Sequence, residues 1–110
     1  MQGQLQDKVA IVTGGGTGIG EAICRKFARE GAKVVVNGLP DDPIGDVVTA
    51  ILHEGGDAIP FAGDVADERQ AKACIDAAID EFGRLDVLIN NAGIFARRVR
   101  DRQDAARQIR

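Results

Sequence analysis

The sequence predicts an α/β protein: a doubly wound parallel sheet of about four strands in the order 3-2-1-4. Three observations carry this reading. Short apolar runs rich in β-branched residues alternate with stretches of helical periodicity along most of the chain. Each run gives way to glycine or another turn-forming residue, and the connections are short. Pro60 lies in the third run and has no N–H to donate, so that strand belongs at a sheet edge. With right-handed crossovers and a central first strand, the order 3-2-1-4 places it there.

Taken in order, Lys8 to Thr13 reads as the first strand, apolar on both faces as a buried parallel strand should be. The first helix runs from about Gly18 to Glu30. Ile19, Ala22, Ile23 and Phe27 form its apolar stripe, and Gly31 suits the left-handed position that follows a helix. Lys33 to Asn37 is the second strand. Asp42 is expected to cap the second helix, with Pro43 at its first position. Ile44, Val47, Val48, Ile51 and Leu52 repeat at helical spacing until Gly55-Gly56 ends that helix, and His53 near its end reads as solvent-facing. Ala58 to Ala62 is the third strand. Asp67 and Gln70 resemble a capping box for a third helix that buries Ala71, Cys74, Ile75, Ala78, Ile79 and Phe82, and Gly83 ends it. Asp86 to Asn90 is the fourth strand, followed by a turn at Asn91-Ala92-Gly93.

Composition narrows the function. The 110 residues suit one domain, and 45% of them are hydrophobic, which is ordinary for a globular chain. No run approaches the ~20 apolar residues of a membrane helix, and the start is no signal peptide, so a cytoplasmic protein is expected. Cys24 and Cys74 fall on apolar helix faces and read as buried reduced thiols, with no metal site. There is no Tyr, Trp or Ser, and His53 is the single histidine, which excludes a Ser-His-Asp triad. Residues 1–96 carry 8 Lys/Arg against 15 Asp/Glu, whereas residues 97–110 carry 6 Arg against 2 Asp. The acidic body argues against nucleic-acid binding by the main fold.

The most informative stretch is Thr13-Gly-Gly-Gly-Thr-Gly18-Ile-Gly20, a strand running through glycines into a helix. A helix start presents unpaired N–H groups and a partial positive charge, so it attracts phosphate. A triphosphate-binding loop would need Lys and Ser/Thr after the last glycine, but Glu21 and Ala22 stand there. The spacing Gly-x-x-x-Gly-x-Gly also differs from Gly-x-Gly-x-x-Gly. In this spacing Gly14 lets the strand turn, Gly18 lets phosphate approach the backbone, and Gly20 allows close helix–strand packing. Topology agrees, since the loops after strands one and four flank the switch point where such sheets bind ligands.

Three motifs in register now resemble those of the short-chain dehydrogenases/reductases over residues 5–96. Thr13 to Gly20 matches their glycine turn, Asp64-Val65 their adenine-contacting pair, and Asn90-Asn91-Ala92-Gly93 their signature after strand four. The resemblance implies a Rossmann-like fold and a bound NAD or NADP. It implies that Gly14, Thr17, Gly18, Ile19 and Gly20 line the pyrophosphate and adenosine ribose. Asp64 and Val65 would meet adenine, and Asn91, Ala92 and Gly93 would border the adenosine and ribose side. Thr13 and Asn91 would tie strands one and four. NAD-preferring members usually carry Asp where Gly38 stands; here Asp41 and Asp42 lie nearby and would repel a 2′-phosphate, which points to NAD.

The resemblance also marks what is missing. Family catalysis uses a Tyr-x-x-x-Lys pair with Ser and Asn, but Tyr and Ser are absent here and the last lysine is Lys72. No catalytic residue is therefore assigned. The expectation is a cofactor-binding domain over residues 1–96 with an Arg-rich, frayed or weakly helical tail over 97–110. That is the truncated cofactor-binding half of an oxidoreductase, inactive alone. The alternatives are a non-catalytic nucleotide-binding module and an interaction protein using its arginines. Val87-Leu88-Ile89 would be an uncovered edge strand, inviting self-association or a partner unless the tail covers it.

Overall fold

The structure, a computed structural model, describes residues 3–91 and 95–109. The chain runs β1 (Val9–Thr13), α1 (Gly18–Arg29), β2 (Lys33–Gly38), α2 (Ile44–His53), β3 (Asp57–Ala62), α3 (Glu68–Phe82), β4 (Val87–Asn90), β5 (Phe95–Arg98) and α4 (Arg102–Gln108). The sheet order is β3-β2-β1-β4-β5. The first four strands are parallel, with Val9 opposite Lys33, Thr13 opposite Asn90 and Val36 opposite Pro60. This is the expected doubly wound, Rossmann-like α/β arrangement, and Pro60 lies on its edge strand.

Both sheet faces are covered, which explains why the strands read as continuous apolar runs. Val34 and Val36 point to one side, where they join Val12 and Ile89 under Cys24 of α1 and Ile44, Val47 and Ile51 of α2. Val35 points to the other, with Val9, Ile11 and Leu88 beneath Ala71, Cys74, Ile75 and Ala78 of α3. The period-2 alternation thus separates two buried layers, rather than core from solvent.

Several local expectations change. The buried stripe of α1 is not centred on Ile19 and Ala22, which are exposed; Gly20 and Cys24 are the buried positions. Gly20 lacks a side chain and brings the helix backbone against the glycine turn, which rotates Ile19 outward. Helix α2 starts one residue later than expected, with Pro43 as its N-cap. The Asp42 carboxylate instead accepts from the N–H of Leu39 at 2.9 Å. Leu52 is exposed, because one stripe suffices to cover the sheet edge there. On α3, Asp67 caps the N–H groups of Arg69 and Gln70, but the Gln70 amide reaches past the cap to the N–H of Asp64 at 2.6 Å.

The largest correction concerns the tail. β5 pairs antiparallel with β4, from Asn90 opposite Phe95 to Val87 opposite Arg98, so β4 is not an open edge and offers none for self-association. β5 spans the compositional break after Ala96. Helix α4 then returns over the α3 side of the sheet, where Ala105 and Ile109 are fully buried. Asp101 caps α4 through the N–H of Asp104. Asp104, itself buried, accepts from the Arg100 N–H at 2.9 Å and lies 3.6 and 3.5 Å from the Arg100 and Arg107 guanidiniums. The Arg100 N–H first, then Gln108 and the two guanidinium charges, hold its carboxyl below the usual aspartate range. Two apolar anchors, one of them a fully buried isoleucine, and one buried carboxylate thus order a segment whose composition reads as solvated.

At the amino end of the sheet the chain closes on itself. The Asp86 carboxylate accepts from the Val9 N–H at 2.9 Å and from Arg84 at 2.8 and 2.7 Å. The Leu5 and Asp7 N–H groups donate to the Glu30 and Gly31 carbonyls at the end of α1.

Candidate functional site

The carboxyl ends of β1, β2 and β3 open onto a cleft of about 280 Å³. Each wall has a local cause. From β1 comes the glycine turn. Gly14 has φ +63° and Gly18 φ +56°, conformations that side-chain-bearing residues rarely adopt. A Cβ on Gly20 would lie 1.9 Å from the Gly14 carbonyl oxygen, so only glycine lets α1 start this close to the turn. A Cβ on Gly18 would meet nothing within 4 Å, leaving open space in front of the backbone.

Helix α1 begins without a side-chain cap. Thr17 holds the N-cap position in extended conformation and its hydroxyl accepts no capping bond. The first-turn N–H groups, which need partners, therefore face outward beside Gly18. Ile19, in that same turn, is 59% exposed. Beneath the turn, burial first and then the nearby Glu21 charge push the Cys24 thiol up to about 12, so it stays a neutral packing group. Burial alone does the same to Cys74, also to about 12.

From β3 comes the loop carrying Asp64 and Val65, both of which line the cleft with Thr13 and Gly14. One Asp64 carboxylate oxygen accepts from the Ala66 N–H at 2.9 Å, and its own N–H is held by Gln70. From β4 comes Asn91. Its N–H donates to the Thr13 hydroxyl at 3.1 Å, that hydroxyl donates to the Ile89 carbonyl at 3.4 Å, and the Asn91 amide donates to the Gly14 carbonyl at 3.2 Å. Strands β1 and β4 are thus tied at the root of the glycine turn.

The structure therefore brings Gly14, Asp64 and Val65 to one cleft, with Asn91 braced behind it. Thr17, Gly18 and Ile19 stand at the start of α1 rather than on the cleft wall, and Gly20 is buried beneath them. Ala92 and Gly93 lie outside the described residues. Asn37, Leu39 and Gly63 also line the cleft and were not singled out from the sequence. Their signal was positional: each sits where β2 or β3 ends at the ligand-binding side of a parallel sheet. No Lys or Arg lines the cleft among the described residues, whereas Asp42 and Asp64 both do.

Comparison with known proteins places this geometry. The family model for short chain dehydrogenase matches residues 8–109, and the chain belongs to that family. It is 47% identical over 93 residues to an uncharacterized oxidoreductase of Methylorubrum extorquens, covering 84% of this chain and 38% of that protein. Xanthoxin dehydrogenase of Arabidopsis thaliana is 45% identical over 93 residues, covering 83% of this chain and 33% of that one. Among solved structures, a short chain dehydrogenase from Mycobacterium avium superposes with TM-score 0.78 at 42% identity, covering 82% of this chain and 34% of that one. A 7α-hydroxysteroid dehydrogenase complexed with NADH and 7-oxo glycochenodeoxycholic acid superposes with TM-score 0.75 at 41% identity, covering 78% and 34%. The chain thus spans about a third of the length of these relatives and corresponds to the N-terminal portion of the family's oxidoreductases.

Proposed function

We propose that this chain binds the adenosine and pyrophosphate portion of a nicotinamide dinucleotide, as the cofactor-binding half of a short-chain dehydrogenase/reductase-like oxidoreductase. One observation carries the reading. The backbone-exposing turn at Gly14 to Gly20 and the Asp64-Val65 loop stand at the same carboxyl edge of the sheet, and Gly14, Asp64 and Val65 line a cleft of about 280 Å³ there. Gly18 leaves room for a phosphate against uncapped N–H groups, and Ile19 is free to cover it. Asp64 has a carboxylate oriented by the Ala66 N–H and suited to accept from an adenine amino group. Asn91 braces the turn, and the family motif adds Ala92 and Gly93 to the residues assigned to the cofactor. When bound, the dinucleotide supplies or accepts a hydride against an alcohol or carbonyl.

The charges lining the cleft support NAD over NADP as the cofactor. A ribose 2′-phosphate would bring its negative charge toward Asp42 and Asp64, with no lining cation among the described residues to offset it. Asp42→Asn should therefore narrow the preference, weakening NAD slightly and strengthening NADP several-fold, ~1 kcal/mol in relative affinity. Calorimetric titration with both cofactors reads this directly, and an unchanged ratio would remove Asp42 from the argument.

Turnover is a separate matter. The sequence has no Tyr and no Ser, so the family's proton-transfer machinery has no residue to occupy it here, and we expect no alcohol oxidation by this chain alone. The second reading is a nucleotide-binding module without catalysis, which the same cleft would serve. An interaction role for the arginines is less supported, because Arg100 and Arg107 face Asp104 and Arg102 pairs with Asp76 of α3. Among the described residues no helix is long and apolar enough to cross a membrane. The two buried thiols suit a reducing compartment such as the cytoplasm.

Thermal unfolding with NAD, NADP and AMP tests the reading. A ligand at ~100 times its dissociation constant should stabilise the protein by ~2.7 kcal/mol. No shift with any of the three would overturn the proposal. Measurable turnover on a panel of alcohols would instead overturn the expectation of inactivity.

A further inference from the structure

We infer that Asn37 is a positioning residue for this cleft, locking the glycine turn of β1 and the β3–α3 loop into one preformed unit. The inference builds on the cofactor-binding reading but concerns how the cleft is held. Asn37 is the penultimate residue of β2 and only 2% exposed. It follows three buried valines, so a fourth apolar residue would continue the strand without a polar group to satisfy.

What the amide does there is specific. Its Nδ2 donates to the Phe61 carbonyl at 3.0 Å and to the Gly63 carbonyl at 3.1 Å. On the other side, the Asn37 backbone carbonyl accepts from the Gly15 N–H at 2.7 Å, inside the glycine turn. The neighbouring Gly38 carbonyl accepts from the Gly63 N–H at 2.9 Å. One residue therefore joins the two segments that carry Gly14 and Asp64. A side chain here must offer two donors within one short reach. Aspartate would turn lone pairs toward two carbonyls, leucine has no donor, and a serine hydroxyl has only one.

Ordering these loops before a ligand arrives removes a cost that binding would otherwise carry. The prediction is an effect on affinity that is separable from the effect on stability. AMP is the probe, because it engages the adenosine side of the cleft alone. Its dissociation constant would be measured by calorimetry well below the melting temperature, next to urea unfolding of the same samples. Asn37→Ala should weaken AMP about tenfold or more, and Asn37→Ser, which restores one donor, should recover part of the loss. In the ligand-free wild type, the Gly15 and Gly63 amides should exchange with solvent as one cooperative unit. An AMP affinity unchanged within about twofold in a folded Asn37→Ala protein, with only the urea midpoint lowered, would make Asn37 merely structural and overturn the inference. If Asn37→Ala does not fold, Asn37→Ser and the wild-type exchange decide, and independent opening of Gly15 and Gly63 overturns it. Failure of the wild type to bind AMP would sink the cofactor reading instead, while the exchange measurement would still decide whether Asn37 couples the loops.

Discussion

The two ends of the parallel sheet are built on opposite terms. At the amino end, Asp86 gathers the Val9 N–H and the Arg84 guanidinium, and the chain before β1 satisfies the last carbonyls of α1. At the carboxyl end, α1 starts uncapped, Ile19 faces solvent and a cleft stays open. The contrast teaches where stability and binding separate in this fold. The amino end is closed by its own hydrogen bonds, whereas the carboxyl end keeps an open cleft and an uncapped helix start beside the bonds that brace its loops. Helix direction sets which end is which, since every crossover helix of a parallel sheet begins at the strands' carboxyl side.

The most severe way to break this contrast is Gly20→Ala. Its Cβ would press on the Gly14 carbonyl, so folding stability should fall by about 3 kcal/mol and nucleotide binding should go with it. Urea denaturation and AMP titration check both, and a loss of binding without a loss of stability would mean that α1 does not need to pack this closely. A change at the opposite end should separate the two properties. Asp86→Asn should cost ~2 kcal/mol at neutral pH while AMP affinity stays unaltered in the folded protein.

Asp86 also carries a pH signature. Partial burial raises its carboxyl, but the bonds from Arg84 and the Val9 N–H, with the charges of Arg84 and Lys8, outweigh that and hold it below the ordinary value. Its stabilisation is therefore fully present above the unfolded aspartate value of about 3.9 and is lost as pH falls through the lower folded value. Unfolding midpoints between neutral and strongly acidic pH should show this component in the wild type and lack it in Asp86→Asn. Equal acid sensitivity of the two proteins would assign the acid loss to other carboxylates.

The smallest stability effect with the sharpest functional one belongs to Gly18→Ala. The added methyl has open space but an unfavourable backbone angle, which costs ~1 kcal/mol. It also occupies the room left for phosphate, so affinity for NAD should fall about tenfold or more. Undiminished NAD binding would move the phosphate away from Gly18.

Much of this was legible in the chain. Alternating apolar runs and helical stripes specified four parallel strands, Pro60 placed β3 at the edge, and glycine spacing marked the turn at Gly14 and Gly18 with close packing at Gly20. These are local signals, because backbone angle, capping and periodicity are properties of neighbouring residues. The segment after Asn91 was harder to read. Six arginines outweighed two apolar anchors, and the pairing of β5 with β4 depends on a strand that precedes it. Ala105 and Ile109 form a single i,i+4 pair, too short a stripe to distinguish a docked helix from a solvated one.

By itself, then, the sequence determined the fold class, the strand order and the backbone geometry of the glycine turn, since each follows from steric and hydrogen-bonding limits acting over a few residues. Tertiary structure alone decided that β5 closes the edge of β4, that α1 turns Ile19 outward, and that Asn37 bridges two loops distant in sequence. Those outcomes depend on which surfaces meet when the sheet assembles, and a hydrogen bond such as the one from Asn37 to Gly63 has no trace in the order of residues until both ends have been brought together.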